Sequence, residues 1–168
     1  NVPEWDFNGY FTTMVLWLWE KTGVWTGDLN LIQRMMDFVA TNMNTNGQIR
    51  EGGIIEWPGY LPATHMNDAA ALWDAAVIFS FNGRPDLAAA YFSAASNLQQ
   101  GLLTTFNSNQ NTYMDYIDGG WKWDSSFNFG HLWGYPDHDF LRRSNLWLLS
   151  NVQKNGGGIQ YFNGAGYG

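Results

Sequence analysis

Cysteine is absent, charge is scarce and no apolar run is long. Each shortage excludes a class of function. Without cysteine there are no disulfides and no thiolate metal sites. The charged fraction is 14%, where soluble domains average about 25%. With a net charge of −7 and no basic run, nucleic acid is a poor partner, because neutralising phosphates takes clustered Lys and Arg. Apolar runs such as Met14 to Trp19 fall far short of the roughly 18 residues of a membrane span, so no membrane insertion is expected. His65, His131 and His138 have no zinc-motif spacing, and HExxH is missing, so neither a metal nor a cofactor is expected. Gly156-Gly157-Gly158 follows a predicted helix and lacks the Lys-Ser/Thr pair of a phosphate loop. The chain has no Asn-x-Ser/Thr sequon.

What remains is aromatic and neutral: 17% Phe, Trp and Tyr, with ten Trp, in a chain solubilised mainly by Asn, Ser, Thr and Gly. Such a surface suits neutral polyhydroxy ligands. The dipeptide Leu-Trp occurs at Leu16-Trp17, Leu72-Trp73 and Leu146-Trp147, each time inside an apolar helical stretch that ends in a short Gly-containing turn. The turns supply a glycine to end one helix and an Asp, Asp28 or Asp86, to cap the next. The second helix of each pair is amphipathic at i, i+3, i+4 spacing, through Leu31, Ile32, Met35, Met36, Val39 and Met43, and through Leu87, Tyr91, Ala94, Ala95, Leu98 and Leu102. Helices are predicted at about 7–22, 28–44, 67–82, 86–105 and 139–154, the fifth capped by Asp137 or Asp139. The Leu-Trp pairs are read as inner packing positions, and Asp68 and Asp74 as caps or solvent-facing residues, although Asn67-Asp68 ends a loop and could reach a cleft. The fold class expected is all-α, with antiparallel helical hairpins.

Short turns thus alternate with long connections, roughly 45–66 and 106–138. Loops of that length in a compact domain are usually functional or disordered, and these are too aromatic for disorder. The first places Glu51 and Glu56 five residues apart beside Trp57 and Tyr60. A carboxyl held against an indole loses hydration, which raises its pKa and suits it to general-acid work. The alternative has Glu51 pairing with Arg50 or another cation and Glu56 bonding backbone. The second connection sets Asp115, Asp118 and Asp124 among Tyr113, Tyr116, Trp121, Trp123 and Trp133, with Gly119-Gly120 allowing close backbone approach. Trp faces stack on sugar rings while Asp and Asn grip hydroxyls; the alternative is that these tryptophans fill the end of a helix array.

Together these features resemble the six-hairpin, (α/α) toroid glycosidases, the superfamily of glucoamylases and trehalases. The resemblance rests on Gly47-Gln48-Ile49 to Glu56-Trp57-Pro58-Gly59-Tyr60 running into Asn67-Asp68-Ala69-Ala70-Ala71-Leu72-Trp73, and on Asp118-Gly119-Gly120-Trp121-Lys122-Trp123-Asp124. It implies part of an (α/α) toroid with its long aromatic and acidic loops on one rim, and glycosidic bond cleavage, commonly inverting, by two carboxyl groups about 6.5–9.5 Å apart. Glu56 and Asp118 would form the catalytic pair. Glu51, Trp57, Tyr60, Asp115, Trp121, Trp123 and Asp124 would line the substrate site, with an oligo- or polysaccharide as partner. A toroid of this kind has about twelve helices, and five cannot close it.

The 1–168 chain therefore reads as one α-hairpin repeat domain that is incomplete. It starts at Asn1 and ends where a sixth helix would be due, so a processed or partial chain is expected, with more chain or another subunit covering the last helix. Two other readings stay open. One is a non-catalytic structural or carbohydrate-binding repeat that assembles with neighbours; the other is a polysaccharide lyase using Tyr60, His65, Asn67 and Arg50. Carbohydrate recognition places the chain outside the cell or on its surface.

Overall fold

The computed structural model describes residues 6–52, 58–117, 120–122, 126–136 and 138–151. Glu56, Trp57, Asp118, Trp123 and Asp124 lie outside the described residues, as do Asp137 and the Gly156–Gly158 run. Among the described residues the chain forms five α-helices: α1 (Asp6–Thr22), α2 (Leu29–Asn42), α3 (Pro62–Phe81), α4 (Pro85–Leu103) and α5 (His138–Asn151). Four short strands and a 3₁₀ turn, Ser126–His131, occupy the second connection. The protein is largely helical, and its second connection is locally ordered rather than structureless.

The helix ends follow local chemistry. At the end of α1, Gly23 takes φ +69° and its N–H bonds the Trp19 carbonyl at 2.8 Å. Asp28 then caps α2, its Oδ1 accepting from Asn30 N at 2.9 Å and Leu31 N at 3.1 Å. The α3–α4 turn closes on Gly83 at φ +70°, with Gly83 N donating to Ser80 O and Arg84 N to Phe79 O. Asp86 is not the cap of α4: Pro85 occupies the first helical turn behind Arg84, and Asp86 pairs with that arginine at 3.4 Å. Asp139 lies inside the first turn of α5 and pairs with Arg142 and Arg143. The largest departure is α3, which starts at Pro62, five residues before the expected 67. Proline at the first helical position needs no N–H partner and has its φ already set, so the aromatic loop ends at Leu61.

That earlier start matters because α3 is the centre of the packing. Fourteen of its twenty residues are buried. Ala69, Ala70, Ala71, Ala75 and Ala76 keep its surface thin, while Met66, Leu72, Ile78 and Phe79 fill the core between it and its neighbours. A helix that is apolar all round belongs inside; α1, α2, α4 and the 3₁₀ turn all pack on it. Asp68 is accordingly fully buried instead of facing solvent, while Asp74, in mid-helix, is half-buried. The outer pair α2 and α4 is tied by Tyr91, whose hydroxyl donates to Asp37 at 2.8 Å. Burial, then the Asp37 carboxylate, push the Tyr91 phenol above its ordinary range.

The Leu-Trp pairs are not equivalent inner positions. Leu16 and Leu72 are buried, whereas Leu146 is 52% exposed; Trp73 and Trp147 are partly buried against the core, but Trp17 is 56% exposed. The reason is position in the array. The pair on α3 lies where α1, α2 and α4 all pack, while among the described residues Tyr10, Met14, Trp17 and Leu18 form an exposed apolar ridge along α1.

The first connection is held to α4 by a glycine–glycine contact. Gly47 stands at φ +71° with its carbonyl oxygen where a Cβ on Gly101 would be, and a Cβ on Gly47 would collide with the Asn97 carbonyl. Gly101→Ala is expected to cost about 2–3 kcal/mol, typical of forced overpacking, and to lower the melting temperature by several degrees. Gly83→Asn, at positive φ but in open space, should cost under about 1 kcal/mol. Urea melts of the two variants check the contrast.

Candidate functional site: a cleft between the two long connections

The first connection folds by bonding to itself and then to α3. Asn44 Oδ1 accepts from Asn46 N and Gln48 N, turning the chain at Gly47. Glu51 and Gly59 exchange backbone hydrogen bonds at 2.8 and 3.2 Å, closing the loop between them. His65 on α3 then anchors the returning chain: Nδ1–H donates to Leu61 O at 2.8 Å, and Nε2 accepts from Ile49 N at 3.2 Å. This fixes a neutral imidazole. Burial drives the His65 pKa down to about 4, the Leu61 hydrogen bond opposing that shift. With both ring nitrogens engaged, His65 has no lone pair for the proton abstraction a lyase would require.

Two antiparallel hairpins build the second connection. β1 (Phe106–Asn107) pairs with β2 (Thr112–Tyr113), and β3 (Asp115–Ile117) with β4 (Gly120–Lys122). Phe106 and Tyr113 pack on Phe140 of α5, and Ser144 Oγ accepts from Tyr113 N at 2.9 Å. Tyr60 and Tyr116 then exchange two backbone hydrogen bonds of 3.1 Å. The two long connections are thereby joined at one point.

Beside that junction lies a cleft of about 410 Å³ lined by Gln48, Tyr60, Thr104, Thr105, Tyr116 and Trp121. Tyr116 and Trp121 are opposite each other in the β3–β4 register, and their rings meet edge to face at 5.1 Å. Both stay accessible, at 37% and 42% exposure. Gln48 Nε2 donates to Thr104 Oγ1 at 2.6 Å across the cleft's rim. Among the described residues no carboxylate, imidazole or cation lines it.

Of the expected site residues, the structure brings Tyr60 and Trp121 into this cleft. Glu51 and Asp115 lie beneath the surface, at 3% and 2% exposure. Asp115 alternates with Tyr116 along β3, so its side chain turns to the opposite face of the strand. Glu51 Oε1 accepts from Thr64 Oγ1 at 2.9 Å in the first turn of α3, where the helix dipole favours a negative charge. Asn67, like Asp68, is fully buried, and Gly9 of α1 packs so closely that a Cβ there would meet the Asn67 amide at 2.6 Å. Sequence reasoning missed Gln48, Thr104 and Thr105. Neutral and 56 residues apart, Gln48 and Thr104 carry no local signal that they meet.

His131 and His138 hold parallel rings 6.0 Å apart, with His131 Nε2 bonded to the Asn145 amide at 3.1 Å. Among the described residues no group of three metal-ligating side chains converges.

No protein-family model and no curated protein matches this chain. The functional reading therefore rests on the cleft.

A second titratable group opposes His65. Burial raises the Asp74 pKa to about 6, the Thr13 hydroxyl lowering it and the Glu20 charge adding to the rise. His65 binds its proton less readily folded than unfolded, so its contribution is complete above pH 6.5 and lost as pH falls toward 4. Asp74 has the reverse sign: its folded pKa lies above the unfolded one, so its charge destabilises above pH 6 and the penalty vanishes as pH falls toward 4. Asp74→Asn is thus expected to stabilise by about 2 kcal/mol at pH 7, with the gain fading to nothing near pH 4. Urea denaturation of parent and variant across that range measures the difference.

Proposed function

We propose that this chain is a glycoside hydrolase-like protein that binds carbohydrate in the cleft between its two long connections. The observation that carries the proposal is the Tyr60–Tyr116 pairing, which gathers aromatic residues of both connections onto one accessible cleft whose described lining is neutral. Aromatic faces beside amide and hydroxyl groups form the lining that a sugar calls for, apolar against C–H faces and polar at the hydroxyls. Glu56 and Asp118 are proposed as the two catalytic carboxyl groups. What supports the choice is sequence proximity: Glu56 comes three residues before Gly59, and Asp118 follows Ile117 directly. One would protonate the leaving oxygen while the other activates a water, the arrangement of an inverting enzyme. In this reading the hairpins form part of an (α/α) toroid whose remaining helices come from further chain or another subunit.

A second reading, a non-catalytic carbohydrate-binding repeat that assembles with its neighbours, is favoured by the exposed ridge of Tyr10, Met14, Trp17 and Leu18 on α1. It shares the cleft and dispenses with the carboxyl pair. Glu56→Gln and Asp118→Asn separate the two. For a hydrolase, reducing-sugar release from a bound oligosaccharide should fall about 10²–10⁴-fold in each variant, the scale of a lost general acid or base, while affinity is retained. A parent chain that binds the oligosaccharide and releases no reducing sugar would instead establish the binding repeat.

A further inference from the structure

Resting on the carbohydrate reading of the cleft, the geometry points to a narrower ligand class: we infer that the site takes an uncharged pyranose, one of whose vicinal diols is read by Gln48 and Thr104 while its ring lies against Trp121. Hydrogen-bond supply at the rim selects the ligand. Asn44 Nδ2 donates to Gln48 Oε1 at 3.0 Å, Gln48 Nε2 to Thr104 Oγ1 at 2.6 Å, and Thr104 Oγ1 to the Gly101 carbonyl at 2.6 Å. This relay fixes which way each group points. A side-chain amide has two N–H donors and a hydroxyl two lone pairs, so one Gln48 N–H and one Thr104 lone pair are left over among the described residues.

A donor and an acceptor side by side match two neighbouring hydroxyls, each of which can give and take a hydrogen bond. They do not match a carboxylate, which only accepts, or an ammonium, which only donates. Among the described residues the lining offers no cation to an anionic ligand, and desolvating a charge without a counterion is costly. Uronic and sulfated sugars are therefore disfavoured. Because the relay runs into the Gly47–Gly101 contact that pins the first connection to α4, the reader is preorganised, which reduces the ordering cost of binding. Trp121, opposite Tyr116 on β4 and 42% exposed, supplies a ring face at the same cleft.

The test is calorimetry of the full chain with cellotriose, maltotriose and mannotriose against trigalacturonate. At least one neutral trisaccharide should bind, with trigalacturonate about tenfold weaker or more, in line with an uncompensated charge. Gln48→Met keeps the size of the side chain and removes its hydrogen bonds, and should weaken the neutral ligand about fivefold or more. Thr104→Val supplies the same test from the other side of the pair should the first variant fail to fold, and Trp121→Ala should weaken binding about tenfold. Trigalacturonate binding as tightly as the neutral sugars overturns the inference and leaves the carbohydrate reading standing. So does neutral binding that is unchanged in folded Gln48→Met and Thr104→Val. Binding of none of the four overturns both.

Discussion

Burial of most of α3, from its first turn to Phe79, is the constraint on which the rest of the molecule depends. Its alanines let α1 and α4 approach closely, and Met66, Leu72, Ile78 and Phe79 fill the space that approach creates. Because burial extends into the first turn, the polar groups there must find partners within the protein, since an unpaired buried polar group costs a large part of a domain's marginal stability. Thr64 meets Glu51, and His65 meets Ile49 and Leu61. These bonds satisfy the helix and at the same time press the first connection onto it.

The second connection is held from the other side, by Phe106 and Tyr113 against Phe140 and by the Ser144 bond to Tyr113. With both connections anchored, the Tyr60–Tyr116 exchange joins backbone that is already ordered, and the cleft beside it is a consequence of two loops packed on one helix. The buried acids fit the same account. Glu51 and Asp115 belong to the supports of the cleft, and what remains at its surface is aromatic and neutral.

Much of the helical layout was legible from local signals. Gly23, Gly83 and Asp28 behave as turn and cap chemistry requires, because each acts through bonds to residues at most a few positions away. The start of α3 is not legible locally for a reason in kind: Pro62 looks like loop punctuation, and only a helix running back to it shows it to be a first-turn proline. The β3–β4 hairpin does leave a signal in the sequence, the Asp118-Gly119 pair between the two strand segments, a strong short-range hairpin mark. Burial was the least legible property. Asp68 was read as a cap or surface residue and is fully enclosed, while Trp17, read as an inner residue, is largely open, because exposure depends on which helices stand alongside.

Of the candidate site, aromatic richness and lack of charge could be read directly, since they are properties of composition, and Tyr60 and Trp121 were named from their surroundings in the chain. The sequence by itself determined the helices, their turns and the neutral, aromatic character of the connections, because these follow from residue type and near-neighbour bonding. Only the tertiary structure decided that Gln48 meets Thr104, that Tyr60 pairs with Tyr116, and that Glu51 and Asp115 lie below the cleft. Those contacts span tens of residues, and they form only once α3 has gathered its neighbours and made distant segments of the chain adjacent.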